Sequence, residues 1–180
     1  MRFPARRRPP IRVPAGEKAL AWAEGPDGAA AGTRDALHLR LDPSSSGETV
    51  EPPPSVEPVE TRIPWEQVQA ADWDQETSVL RVSEVGHWGE RRPEHRLTLE
   101  EPGRLLELVR ERVTASVVLQ RHVPIDGRRG LRVIARRAPR GDRPVQWFHE
   151  YDEGIDPADP AVRKAAEEAL DAARADVGPG

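Results

Sequence analysis

The sequence predicts an α+β fold: a small antiparallel β-barrel or sheet closed by a helix, then extended by a three-stranded antiparallel segment and a C-terminal helix. Three observations carry that expectation. Apolar residues alternate at period two through much of residues 17–100, the spacing of half-buried strands. At Pro102 the period changes, and Leu105, Leu106, Val109 and Val113 follow at helical spacing. It returns to two over residues 117–151 and changes again behind Asp159-Pro160.

Residues 17–24 (EKALAWAE) set Ala19, Ala21 and Ala23 against Leu20, Trp22 and Glu24, and Gly25-Pro26-Asp27-Gly28 has the composition of a turn. Residues 34–41 place Leu37, Leu39 and Leu41 on one face, opposite Ala36, His38 and Arg40. Residues 61–64 read as a short strand, Trp65-Glu66-Gln67-Val68 as a single turn and 70–74 as the next strand. Residues 78–85 are rich in β-branched side chains, 87–94 read as a hairpin connection, and 95–100 point Leu97 and Leu99 inward. The helix opens at Pro102, which suits a first turn, and ends where β-branched residues gather at 113–118. Strands at 117–123 and 131–137 flank a turn marked by Asp126-Gly127, and 145–151 make a third. Asp159 is a helix N-cap with Pro160 in the first helical position. Val162, Ala165, Ala166, Ala169, Leu170 and Ala173 then form one apolar stripe, with Arg163–Glu167 and Lys164–Glu168 at salt-bridge spacing.

The 180 residues suit one fold-forming domain with an appendage. There is no cysteine, which excludes thiol catalysis, disulfides and Cys-ligated metal sites. No apolar run approaches the roughly 18 residues of a membrane span, and no apolar stretch follows Met1 as a signal peptide requires. A cytoplasmic protein is therefore expected. Nine of the 19 prolines fall in two breaks. Residues 1–14 hold five arginines, four prolines and no acid, and read as a disordered basic arm. Residues 42–60, with Ser44-Ser45-Ser46-Gly47 and Pro52-Pro53-Pro54, read as a long surface loop, because proline cannot donate to a central ladder. Trp22, Trp65 and Trp73 are assigned to core or rim packing.

One string carries a family likeness. Gly16-Glu17 opens a strand pair, Arg62-Ile63-Pro64-Trp65-Glu66-Gln67-Val68 follows, and another strand pair leads to the amphipathic helix. This resembles the bacterial PH-like and GRAM-like domains, over about residues 14–118. The resemblance implies a β-domain at 15–118, carrying the Pro/Ser-rich loop at 42–60 and plugged by its helix. Residues 119–177 would be a β-strand and helix extension packed on it. The chain as a whole also resembles short Arg-, Ala- and Pro-rich actinobacterial proteins, a likeness that brings no activity with it.

Chemistry-bearing motifs are sparse. There is no Gly-x-Ser-x-Gly elbow, no phosphate loop and no dinucleotide fingerprint. His122 and His149, on neighbouring strands, are the nearest approach to a metal pair in the C-terminal half, and no His-Glu-x-x-His occurs. The acids Glu150, Asp152, Glu153, Asp156 and Asp159 lack the spacing of a calcium loop and fit a strand end, a turn and a helix cap.

Charge is more informative. Residues 104–143 hold eleven arginines and four acids, whereas residues 149–180 hold three basic residues and nine acids. Arg121, Arg128, Arg129, Arg132, Arg136 and Arg137 are therefore candidate anion or nucleic-acid contacts, since the guanidinium fork suits phosphate. The competing expectation is that the acidic C-terminus packs beside this hairpin and neutralises it. Trp88 is the candidate rim of an interaction groove. The sequence thus points to a non-enzymatic binding or scaffold module for a protein partner, without metal or cofactor. The alternative is a nucleic-acid-associated accessory protein that uses the basic arm and the 128–137 hairpin.

Overall fold

The computed structural model describes residues 8–42, 57–86 and 92–178. Among the described residues, ten strands form three antiparallel sheets, accompanied by two α-helices. The first sheet is a meander of β1 (Ala21–Gly25), β2 (Gly28–Gly32), β3 (Ala36–Leu41) and β4 (Val59–Pro64). A 3-10 turn at Trp65–Gln67 leads into the second sheet, β5 (Val68–Asp74), β6 (Val79–Glu84) and β7 (Glu94–Thr98). Helix α1 (Gly103–Ser116) follows. The third sheet orders β8 (Val117–Asp126), β9 (Arg129–Arg136) and β10 (Gln146–Tyr151) with β9 central, and α2 (Pro160–Val177) closes the chain.

The first two sheets share one core: Leu37, Leu39, Ile63, Trp65, Val68, Leu80, Val82, Leu97 and Leu99, sealed by Leu105 and Val109 of α1. Trp65 is fully buried, and its indole N–H donates to the Thr33 carbonyl at 3.1 Å, so its polar atom is satisfied inside the core. The α+β expectation holds at this level, but the sheets do not close into a barrel. They meet at one corner, where Glu24 bridges Glu100 and the Asp27 carboxylate accepts from the Thr98 backbone N–H and hydroxyl. Gly25 permits this approach: a Cβ there would lie 2.1 Å from the Thr98 carbonyl oxygen. Elsewhere α1 fills the gap, packing on β1, β2 and β5.

Strand β2 was not foreseen. Its sequence, GAAAG, offers no contrast between its faces because both are covered. Ala30 enters the main core, while Ala29 and Ala31 pack against Ile11, Ala19 and Trp22. This also corrects the expected arm. Ile11 is 4% exposed and the Arg40 guanidinium donates to the Pro10 carbonyl, so residues 8–14 lie down on the first sheet. The apolar side chains Ile11 and Val13 anchor a segment otherwise made of proline and arginine. Residues 1–7 lie outside the described residues, as do 43–56 of the proline loop and 87–91 of the hairpin connection.

Glu17, from the Gly-Glu dipeptide, clasps the same sheet. Its carboxylate accepts from the Thr33 hydroxyl (2.6 Å) and the Arg62 guanidinium (2.9 Å), and lies 3.0 Å from His38 Nε2. Burial alone would raise its pKa. The hydrogen bonds from Thr33, His38 and Arg62, with the Arg62 charge, outweigh burial and hold it at about 2.

The third sheet has a smaller core of its own. Leu131 and Val133 face Ala166, Ala169 and Ala173 of α2. The hairpin turns on Gly127, whose φ of +62° suits a two-residue connection, and the paired residues are Asp126 and Arg129. Asp159 caps α2 as expected, its side chain accepting from Ala161 N–H at 2.7 Å.

Candidate functional site

The third sheet docks on the turn that follows β4. Arg136, last residue of β9, follows the buried run Val133-Ile134-Ala135 and is 5% exposed. Its NH1 donates to the Val68 carbonyl (2.8 Å) and Ser116 Oγ (3.1 Å), and its NH2 to the Gln69 carbonyl (3.1 Å). The bulge between Val68 and Ala70 interrupts the β5–β6 register where these two carbonyls are taken up. Gln67 Nε2 donates to Gln146 Oε1, the Arg137 N–H donates to the Ser116 carbonyl, and Arg143 lies 3.7 Å from Glu66.

Beside this joint lies a cleft of about 440 Å³. Gln69, Val85, Gly86 and Arg92 come from the second sheet and its connection; Ile134, Arg136, Phe148 and Glu150 come from the third. Register explains the second group. Phe148 pairs with Ile134 and Glu150 with Arg132, so these side chains share the face opposite α2.

The electrostatics are uneven. Glu150 is held between Arg132 at 3.3 Å and Arg92 at 3.6 Å. Asp152, at the edge of the cleft, lies 3.0 Å from His122 and accepts from the Gly130 N–H, and its pKa is lowered chiefly by the His122 hydrogen bond. Arg136 has only neutral oxygens as hydrogen-bond partners. Burial pushes its pKa down, and the Glu150 charge pushes it back. Gln69 Oε1 is buried without a hydrogen-bond partner. His149, on the α2 side of β10, also carries an unpartnered Nε2, with its pKa lowered by burial and by Arg174.

The six candidate arginines do not form one surface. Arg121 lies on the α2 face and pairs with Asp176. Arg129 pairs with Asp126 across the hairpin turn, and Arg132 pairs with Glu150. Arg128 is exposed at the hairpin tip, and Arg137 is half-buried. Arg136 is the joint itself, because Ser116 and two β5 carbonyls take three of its donors. Trp88 lies outside the described residues. His122 and His149 occupy opposite faces of the third sheet, since His122 pairs with Arg132 and His149 with Val133. Among the described residues, no three His, Asp or Glu side chains are grouped to hold a metal ion. No helix among them is long and apolar enough to cross a membrane.

Comparison with family models, curated proteins and solved structures finds no match to this chain.

Gln69 and Arg92 were not singled out by sequence reasoning, and Glu150 was read only as part of an acidic stretch. One signal pointed to the cleft: Arg136 stands directly behind the apolar run Val133-Ile134-Ala135. A cation in such a strand must meet oxygens contributed from elsewhere.

Proposed function

We propose that this protein is a non-enzymatic binding module of the cytoplasm, built on a PH-like β-domain, whose working surface is the cleft between that domain and its C-terminal extension. The carrying observation is the cleft itself. It has an apolar wall of Ile134, Phe148 and Val85, a buried cation at its base, and a contribution from each unit. The PH-like assignment is supported by the element order: a four-stranded meander, a three-stranded meander and a helix that seals their common core. The conformation around Glu17 supports it too, since the Gly-Glu dipeptide has a structural task there.

Ion pairs weigh against the nucleic-acid alternative. Asp176 and Glu150 of the acidic C-terminus each engage an arginine of the basic hairpin, which breaks up the continuous positive face that phosphate binding needs. A binding task is further supported by the three His–carboxylate pairs, His38–Glu17, His95–Glu84 and His122–Asp152. Among the described residues, none has a hydroxyl hydrogen-bonded to its imidazole.

The test is a nuclease-treated pull-down that compares wild type, Phe148→Ala and a variant lacking Arg2, Arg6, Arg7, Arg8, Arg128 and Arg129. A defined partner kept by the charge variant and lost by Phe148→Ala is the expected result. Nucleic acid retained by the wild type, and lost by the charge variant, would overturn it.

A further inference from the structure

The donors of Arg136 suggest what the cleft takes. A guanidinium has five N–H donors. Three are used, two on NH1 and one on NH2, all by neutral oxygens. Its Nε–H and the second NH2 hydrogen carry no hydrogen bond among the described residues. Nε and NH2 form one edge of the fork, the edge that grips a carboxylate with two parallel bonds. Arg136 is therefore a buried cation with two unspent donors, it lines the cleft, and among the described residues it forms no ion pair.

The acids nearby do not fill that role. Glu150 is ion-paired with Arg132 and Arg92, its Oε1 carrying no hydrogen bond, and Asp152 is engaged by His122 and the Gly130 N–H. Glu153 is exposed at the rim. Gln69 Oε1 adds the opposite need: a buried acceptor with no donor, in the same cleft. Ile134, Phe148 and Val85 line the same cleft.

We propose that the cleft binds a carboxylate that carries an adjacent N–H and an apolar body, the chemistry of an acylated amino acid or of the free C-terminal end of a peptide. The carboxylate pairs with the open edge of Arg136, the N–H donates to Gln69 Oε1, and the apolar group lies on Phe148 and Ile134. This assignment rests on the cleft being the working surface.

The experiment is a titration of the full chain, followed by amide and arginine Nε–H NMR signals. The probes are N-acetyl-leucine, N-acetyl-leucine amide, and a leucine-terminated pentapeptide in acid and amide forms. Saturable shifts at Gln69, Arg136 and Phe148 are expected with the acids, and binding at least about tenfold weaker with the amides, since a bidentate charged contact is lost. A pentapeptide acid that outcompetes N-acetyl-leucine identifies a protein C-terminus as the source; equal affinities identify free acids. Arg136→Lys keeps the charge and loses the fork, and should abolish the preference for acid over amide. Because that variant risks unfolding, Gln69→Ala and Phe148→Ala are measured alongside, and each should weaken the acids several-fold while the fold stays intact. Absence of saturable shifts in the folded wild type, or equal binding of acids and amides, would overturn the ligand class. A pull-down partner still lost with Phe148→Ala would then leave the cleft as a binding surface for something else.

Discussion

The two units reach stability by different means. The N-terminal unit closes two sheets and α1 over Leu, Ile, Val and a fully buried tryptophan. The C-terminal unit has one three-stranded sheet and one helix, and three of its five buried core residues are alanines. At about 25 cal/mol per Å² of apolar surface, alanines contribute little, and a three-stranded sheet needs further support. It finds that support outside itself, through Arg136, Gln146, Arg140 and Arg143, which reach Val68, Gln69, Gln67, Asp35 and Glu66. The contrast teaches that the extension depends on the β-domain, and that the cleft exists because of this dependence.

The most damaging test of that contrast is Trp65→Ala. It empties the centre of the larger core and leaves the Thr33 carbonyl without its donor, at a cost of about 3–5 kcal/mol. Since the same turn seats the third sheet, both units should lose stability together in a calorimetric scan. Arg136→Leu separates them. It removes three charge-assisted hydrogen bonds and should cost about 2–3 kcal/mol. Hydrogen exchange should then speed up in β8–β10 and α2, with β1–β7 keeping their protection. Equal loss in both units would show that the extension supports the β-domain as much as it is supported.

Legibility divides along the same line. Strands whose leucines alternate with small or polar residues could be read, as at Leu37 and Leu39 or Leu97 and Leu99. Helix α2 was legible through Asp159-Pro160 and its stripe. Strand β2 was not, because GAAAG puts the same small residue on both of its covered faces and leaves no period to read. The cleft was not either, because its walls are joined by contacts such as Gln67–Gln146, 79 residues apart, which no local pattern encodes. The acidic C-terminus was rightly weighed as a counterweight to the hairpin, but the pairing came down to two arginines, Arg121 and Arg132. Face alternation decided which: Arg121 looks at α2 and Arg132 at Glu150.

A smaller effect sharpens the comparison by pH. The Glu17 carboxyl sits near 4.5 when unfolded and at about 2 when folded. A lowered carboxyl stabilises the fold fully above pH 4.5, and its contribution disappears as pH falls from 4.5 to 2. The side chain is 14% exposed but its partner Arg62 is 35% exposed, so solvent screening reduces the contribution to about 1–2 kcal/mol. Glu17→Gln should lower stability at pH 7 by that amount and flatten the acid limb of the β-domain's unfolding curve. An unchanged acid limb would mean the carboxylate is not engaged in solution.

The smallest effect is the most local. Asp159 satisfies one of the free N–H groups at the start of α2, and an N-cap lost to alanine costs about 1 kcal/mol. In a large core such a loss spreads through many contacts. Here α2 is attached by an alanine stripe, where each residue buries little, so the first turn should fray before the sheet is affected. Asp159→Ala should therefore raise amide exchange near Val162 and Ala166, leave β9 protected, and leave the β-domain unchanged. If exchange instead rises evenly across α2, β8, β9 and β10, the extension unfolds as one cooperative unit, and the cleft it walls must open all at once.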